Sequence, residues 1–453
     1  MPSNQPNILF LMTDQLRLDH TGLAGEGARV ATPNIDRIAA GTAFTNCVTN
    51  NPICTPARAA LLTGKYSHQI GLLDMSGDLS LQHPTYPRAL QRAGYKTYGI
   101  GKFHFLQTWR WGAERGQGVD LVALREESKK YGFDEVWEAA GKQLSVRNYC
   151  DYCAFLDERL LLEEYRDFVE SCGRNTSSVA QIVNEAHNGD ASPLPDELHV
   201  DAVIADQIID AIRGRPDDQP FFVFGSFLSP HKPFDPPQSY IDAEPDTYYE
   251  PVGLTEPLEP EVRRLLAKQQ RSYRALVRFT DDQIGRVLDA LEAAGLADNT
   301  VVLFTTDHGE MLGDHGRVQK AIYYRRSAVV PTAVRDPRQA GGVVCDTPVE
   351  ITDLTATILE CAGLDAAKAL SKPWPRFHDR VPCRSLMPIV RGETDAVREV
   401  AFSECRGDWE AIVGARYTYV KHAAKSVDER GSEELFDLEA DPDQTRNLLA
   451  VGA

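Results

Sequence analysis

The chain has 453 residues, 42% hydrophobic and 25% charged, an ordinary globular mixture long enough for a large core and more than one domain. Its 66 acidic side chains outnumber 48 Lys and Arg, and the formal net charge of −18 argues against docking on DNA, RNA or an anionic membrane. Neither nucleic acid nor membrane is expected as a partner, and an anionic substrate would have to be drawn by a local positive pocket.

Residues 1–6 carry no basic side chain, and the apolar run from Ile8 to Met12 is too short for a signal-peptide core or a membrane span, so the cytoplasm is the expected compartment. Nine cysteines, an odd number without regular spacing, read as mostly free thiols and not as a secreted disulfide framework. Cys150 and Cys153 form a CxxC pair, but no second ligand pair for zinc and no βαβ pattern accompany it, which leaves two ordinary thiols.

In chain order, the apolar runs 7–12, 97–101, 221–227 and 300–306 are too short and too continuously apolar for amphipathic helices and predict buried strands. Helical spacing appears between them in Val203, Ile204, Gln207, Ile208 and Ile212. It appears again in Leu276, Val277, Ile284, Val287, Leu288 and Leu291, closed by Gly295. This alternation predicts an α/β sheet covered on both faces. Segments 171–197 and 230–260, rich in Asn, Ser, Asp, Glu and Pro, predict long surface loops at a pocket rim. After a helix-like stretch over 351–361 and a break at Gly363, residues 368–382 read as a proline-containing linker. The alternating runs 400–403, 411–413 and 417–420 then predict a small α+β unit, giving domains over 1–375 and 376–453.

Reactive residues follow directly on the four strand ends. Asp14 and Gln15 follow the first, Lys102 and His104 the second, His231 and Lys232 the third, Asp307 and His308 the fourth. Ligands of open α/β sheets bind at the carboxyl ends of strands, so these segments are expected to converge on one crevice. Asp14, Gln15, Asp307 and His308 would offer a divalent metal two carboxylates, an amide oxygen and an imidazole. Either pair alone also suits a cap or turn; the two in the same context favour metal.

The second signal is Pro52-Ile53-Cys54-Thr55-Pro56-Ala57-Arg58-Ala59-Ala60-Leu61-Leu62-Thr63-Gly64. Thr55 suits a helix cap and Pro56 the first helical position, which would set Cys54 beside the positive end of a helix dipole. Arg58, four residues on, falls on the same side and can hold an oxyanion or orient a nucleophile. Read from the residues, Cys54 is a candidate thiolate nucleophile with a depressed pKa; a buried small hydrophobe is the competing fate of a free cysteine.

Cys54-Thr55-Pro56-Ala57-Arg58, followed by Leu62, Thr63 and Gly64, resembles the sulfatase signature CxPxR, in which a dedicated maturation enzyme oxidises the cysteine to formylglycine. Asn7-Ile8-Leu9-Phe10 leading to Asp14, Thr32-Pro33-Asn34-Ile35-Asp36-Arg37-Ile38, Gly101-Lys102-Phe103-His104, Thr306-Asp307-His308-Gly309-Glu310 and Glu434-Leu435-Phe436-Asp437-Leu438 with Asp441-Pro442 are similar to sulfatase segments in the expected order. The resemblance implies an alkaline-phosphatase-like α/β/α sandwich around a large mixed sheet. It implies formylglycine at position 54 as both metal ligand and nucleophile, formed by a formylglycine-generating enzyme. Arg58 and Lys102 would steady the reacting group, His104 would take a proton, and His231 and Lys320 would contact sulfate or the leaving oxygen. Lys320 rests on Val318-Gln319-Lys320-Ala321, a loose match whose alternative is a solvated surface lysine.

Two positions depart from the commonest family pattern: Gln15 stands where many sulfatases have Asp, and His308 where they have Asn. The same variants occur in choline sulfatases and in phosphonate monoester and phosphodiester hydrolases of the superfamily, although Lys102 and His104 are the sulfatase-like pair. The expected substrate is a sugar, aryl or small alkyl sulfate ester. A phosphonate or phosphodiester is the alternative, and a non-catalytic binder of sulfated ligands with an intact Cys54 thiol comes third. Fewer carboxylates and one imidazole shift the expected metal from Ca²⁺ towards Mn²⁺. A homo-oligomer is compatible with the sequence, which specifies no state of assembly.

Overall fold

The computed structural model describes residues 5–108, 113–173, 176–372, 380–424 and 431–450. Nine strands build one mixed sheet: β1 (Asn7–Asp14), β2 (Thr42–Val48), β3 (Lys96–Gly101), β4 (Glu135–Glu138), β5 (Phe221–Pro230), β6 (Thr300–Thr306), β7 (Val329–Arg335), β8 (Val343–Cys345) and β9 (Val349–Glu350). Their order is β4-β3-β5-β1-β6-β7-β2-β8, with β9 beside β2. The run β4-β3-β5-β1-β6 is parallel, and β7 is antiparallel to both its neighbours. The four apolar runs of the sequence are therefore β1, β3, β5 and β6, consecutive in the sheet.

They are apolar on both faces because both faces are covered. Ile8, Phe10 and Met12 of β1 share a core with Leu61 and Leu62 of helix α1 (Cys54–Thr63) and with residues further along the chain, Leu354 and Ile358. On the opposite face Leu9 and Leu11 pack with Ile204 and Ile208 of α2 (Val200–Gly214) and with Val277, Ile284 and Leu288 of α3 (Pro260–Ala293). Each such side chain contributes about 1.5–3 kcal/mol by leaving water, which makes the alternating β1 residues the tie between the layers.

Three expectations need correction. Helix α1 is capped by Ile53 and begins at Cys54, so Thr55 is not its cap and Pro56 is not its first residue; Cys54 lies within the first turn. Helix α3 begins at Pro260, well before Leu276, because Val262, Leu265 and Leu266 continue its buried stripe among charged neighbours that mask the pattern. It ends as expected, with Gly295 at φ 68° beyond the last turn. The segment 230–260 is not wholly loop, since Gln238–Ala243 forms a short helix.

After α4 (Asp353–Cys361), the chain forms an antiparallel sheet, β10 (Ala401–Cys405), β11 (Trp409–Val413), β12 (Tyr417–His422) and β13 (Glu433–Asp437). The first three match predicted runs; β13 was not anticipated. In β11, Trp409, Ala411 and Val413 turn inward while Glu410 and Ile412 face out, the alternation of a half-buried strand. Trp409 and Ala411 pack with Ile53 and Tyr323, which fastens this sheet to the residue preceding Cys54. The boundary expected between 375 and 376, and much of the 368–382 linker, lie outside the described residues.

All nine cysteines are free, and Cys150 and Cys153 are buried with their sulfurs 3.4 Å apart. Among the described residues no helix is long and apolar enough to cross a membrane.

Candidate active site

Because β3, β5, β1 and β6 are adjacent and parallel, their carboxyl ends emerge side by side. Gly101 ends β3 at φ 99°, where a Cβ would overlap the Ser226 carbonyl of β5, so only glycine permits the close approach from which Lys102 departs. Gln15 and His104 hold the left-handed region at φ 67° and 58°, conformations that cost non-glycine residues about 1–3 kcal/mol and turn each chain sharply out of its strand.

Asp14, Cys54, Asp307 and His308 are all buried, and one ligand atom from each lies within 4.8 Å of the others. Cys54 Sγ is 3.1 Å from His308 Nε2 and 3.9 Å from Asp14 Oδ1. The Nδ1 of His308 is 3.0 Å from the Gly309 carbonyl, which can only accept. In the neutral ring Nδ1 therefore carries the hydrogen, and the Nε2 lone pair faces the cluster. Gln15 stands beside it. Its amide nitrogen donates to Glu310, its amide oxygen accepts from Lys320, and its carbonyl accepts from Tyr273 Oη at 2.7 Å. Two carboxylates, an imidazole with its lone pair turned inward, residue 54 and an amide oxygen already facing a cation form a donor set that fits a divalent metal ion.

Helix α1 carries Arg58 beneath this cluster. Its Nε donates to Asp307 Oδ2 at 2.8 Å, and its Nη1 donates to the Lys102 carbonyl at 2.8 Å and to Ser226 Oγ at 2.7 Å. The buried Nη2 has no hydrogen-bond partner among the described residues and lies 3.9 Å from Asp14 Oδ2. Lys102 Nζ is ion-paired with Asp14. His104 Nε2 donates to the Ala140 carbonyl at 2.7 Å, leaving Nδ1 as the acceptor of the neutral ring, 3.5 Å from Thr55 Oγ1. His231 Nδ1 donates to the Lys232 carbonyl at 2.8 Å, so its Nε2 accepts from Lys320 Nζ, also at 2.8 Å. Lys320, the loosest match in the sequence, thus joins Gln15 to His231 and is no solvated surface lysine.

The titration behaviour follows from this packing. Burial opposes ionisation of Asp14, but Lys102, Arg58 and Lys320 outweigh it and hold the carboxyl well below its usual range. Burial likewise raises the Cys54 thiol, yet Lys102 and Lys320 prevail and lower it. His104 and His231 are pushed well below the usual imidazole range by burial and by neighbouring lysines. Both are therefore neutral.

Asp14, Cys54, Lys102, His104, His231 and Lys320 line a single cavity of about 250 Å³. The same cavity is lined by Asp74, Met75 and Ser76, by Lys142 and Leu144, and by Arg406 from the turn between β10 and β11. Every site residue expected from the sequence is in or directly behind this cavity. Sequence reasoning missed Ser226, Tyr273, and the buried pair Lys142–Asp235 at 2.5 Å, and it gave Glu310 no role. Glu310 alone had a visible signal, its place directly after Asp307-His308-Gly309.

An α/β/α sandwich with an acidic, metal-competent cluster at the carboxyl edge of its central strands places the chain among alkaline-phosphatase-like hydrolases. The Sulfatase family model matches residues 6–364, and the chain belongs to that family of sulfuric ester hydrolases. It is 28% identical to an arylsulfatase of Clostridium perfringens (strain 13 / Type A) over 98% of this chain and 90% of the relative. It is also 28% identical to a choline-sulfatase of Rhizobium meliloti (strain 1021), over 99% and 83%. In fold it resembles a phosphonate monoester hydrolase from Silicibacter pomeroyi, with a TM-score of 0.79, 23% identity and coverage of 99% of this chain and 92% of that one. A protein solved in complex with its substrate D-glucosamine-2-N,6-O-disulfate gives a TM-score of 0.72, 21% identity and coverage of 99% and 94%.

Proposed function

We propose that this protein hydrolyses a sugar, aryl or small alkyl sulfate ester, with a formylglycine derived from Cys54 as nucleophile and one divalent cation bound by Asp14, Gln15, Asp307, His308 and residue 54. The observation that carries this reading is the position of Cys54 Sγ, 3.1 Å from His308 Nε2 in the metal-competent cluster and on the wall of the cavity that Lys102 and Lys320 also line. Formylglycine at position 54, once hydrated, would supply the hydroxyl that attacks sulfur as the S–O bond to the alcohol breaks, and a bound cation would supply Lewis-acid stabilisation of the charge that develops.

The chain's own residues do the rest. Arg58, tied to Asp307, Ser226 and the Lys102 carbonyl, holds the first turn of α1 against the strand ends and fixes where residue 54 stands. Lys102 and Lys320 present ammonium groups to the sulfate oxygens, a preorganised positive wall in a protein of net charge −18. His104 Nδ1 accepts the proton that residue 54 must lose, and His231 with Lys320 stabilises or protonates the leaving oxygen. A saccharide substrate has support from the structural relative bound to a disulfated glucosamine and from a 25% identical N-acetylglucosamine-6-O-sulfatase of Bacteroides thetaiotaomicron.

The second reading, hydrolysis of a phosphonate monoester or phosphodiester, is favoured by Gln15 and His308 and by the fold shared with the Silicibacter pomeroyi enzyme. Lys102 and His104 favour sulfate. Mass spectrometry of the tryptic peptide containing Cys54, from a host with the maturation enzyme, should show an aldehyde. Parallel assays with an aryl sulfate and an aryl phosphonate of matched leaving group should favour the sulfate. Full activity with an intact Cys54 thiol would overturn the nucleophile, and a preference for the phosphonate would overturn the substrate class.

A further inference from the structure

Glu310 sits behind the metal-competent cluster, 1% exposed. One of its oxygens, Oε1, accepts from the backbone N–H groups of Leu312, at 3.0 Å, and Gln319. The other, Oε2, accepts from the side-chain amide of Gln15. No lysine or arginine forms an ion pair with it among the described residues. All its acceptor capacity toward the cluster is directed at one donor, the Gln15 amide nitrogen.

An amide has a donor end and an acceptor end, and a carboxylate can only accept. With Glu310 on one side, Gln15 must turn its nitrogen to Glu310 and its oxygen to Lys320, which lines the cavity together with Asp14 and Cys54. The backbone leaves the residue little alternative. Its N–H donates to Asp307 Oδ1 at 3.1 Å, its carbonyl accepts from Tyr273, and its φ of 67° fixes the exit of the side chain. An acid at position 15 would set two carboxylates face to face in a buried space. The amide there and the acid at position 310 are thus one unit.

We infer that Glu310 is a positioning residue for the metal centre: it sets the rotamer of the Gln15 amide so that the oxygen is presented to the ion, and it is the reason position 15 carries an amide where an acid would otherwise serve. This rests on the metal ligation proposed above for Gln15. Outer partners that orient a ligand typically change metal affinity by about 10–100-fold when lost.

The test is calorimetric titration of Mn²⁺ and Ca²⁺ into chelator-stripped full-length protein, which reads binding independently of turnover, with thermal unfolding recorded for each variant. Glu310→Gln keeps an oxygen for Leu312 and Gln319 but opposes one NH₂ group to another. The Gln15 amide then flips, and Mn²⁺ affinity should fall at least about 10-fold. Gln15→Glu alone, with two facing carboxylates, should also bind Mn²⁺ less tightly than the double variant. Gln15→Glu combined with Glu310→Gln reverses donor and acceptor, so affinity should return to within about 3-fold of the wild type, now with an anionic oxygen that favours Ca²⁺ more than before. A purely structural Glu310 would lower stability in its single variant without rescue by the swap. Unchanged affinity in Glu310→Gln, or a double variant no better than either single one, overturns the inference while leaving the sulfatase reading intact. A wild-type protein that binds neither ion removes the metal centre and this inference with it.

Discussion

Arg58 Nε and Asp307 Oδ2 are 2.8 Å apart with both side chains fully buried, so the first turn of α1 is bonded directly to the residue that follows β6. The same guanidinium reaches the Lys102 carbonyl after β3 and Ser226 in β5. One side chain therefore ties the helix that begins at Cys54 to the residues that follow β3 and β6 and to β5 itself. Removing it leaves Asp307 as a buried anion without its partner, a loss of about 3–5 kcal/mol. Urea unfolding of metal-free Arg58→Ala should show a destabilisation of that order. Arg58→Lys should recover only part of it, because an ammonium cannot span the acceptors that the planar fork serves at once. An Arg58→Ala variant within about 0.5 kcal/mol of wild type would contradict this account, since that is the range of a surface substitution.

Lys102 contributes charge more than architecture. Its ammonium pairs with Asp14 on the cavity wall, and its pKa is raised because the Asp14 and Cys54 charges outweigh the effect of burial. By analogy with the loss of one oxyanion donor, Lys102→Ala should lower turnover of an aryl sulfate by about 100-fold or more. Steady-state kinetics on matured, metal-loaded protein tests this, and near-normal turnover would take Lys102 out of the reacting site.

The ligand set predicts the metal preference. Two carboxylates, one neutral amide and one imidazole carry less charge than an all-carboxylate site and include a nitrogen that Ca²⁺ does not favour. Chelator-stripped protein should regain more activity with Mn²⁺ than with Ca²⁺ at equal free concentration, and His308→Asn should narrow or reverse the difference. Full restoration by Ca²⁺ with none by Mn²⁺, together with calcium in elemental analysis of the native protein, would refute the charge count.

Away from the site, Glu138 at the end of β4 is buried with, among the described residues, only Ser128 Oγ, 3.1 Å away, as side-chain hydrogen-bond partner, and burial pushes its carboxyl from 4.5 up to about 8. The folded state thus holds a proton that the unfolded chain has released between about pH 4.5 and pH 8. The group's contribution is fully present below 4.5 and is lost as pH rises through 8, with a slope of at most about 1.4 kcal/mol per pH unit. Glu138→Gln, which cannot ionise, should gain stability relative to wild type from pH 5 to pH 8 and level off above. Parallel pH–stability profiles for the two proteins would show that this carboxyl titrates normally.

The sequence by itself determined the central strands and the residues that leave them. A strand covered on both faces reads as a nearly continuous apolar run, so 7–12, 97–101, 221–227 and 300–306 stand out from any periodic pattern, and the reactive groups that follow them mark the sheet edge. The CxPxR segment was equally legible because its geometry is local, Cys54 and Arg58 one helical turn apart. The other half of the sheet was not. β7, β8 and β9 carry no distinctive alternation, and β8 and β9 are very short. Only the tertiary structure decided that the four reactive strand ends are immediate neighbours, that Ser226 anchors Arg58, and that Lys320 stands between Gln15 and His231. It also decided which nitrogen of each site histidine is the acceptor, through the carbonyls of Ala140, Lys232 and Gly309, and that Glu310 dictates the orientation of Gln15, its partner 295 positions away. The reason is common to these cases. Hydrophobic burial is written into each segment by its own composition, whereas a hydrogen-bond partner is chosen by whatever the folded chain brings within about 3 Å of it.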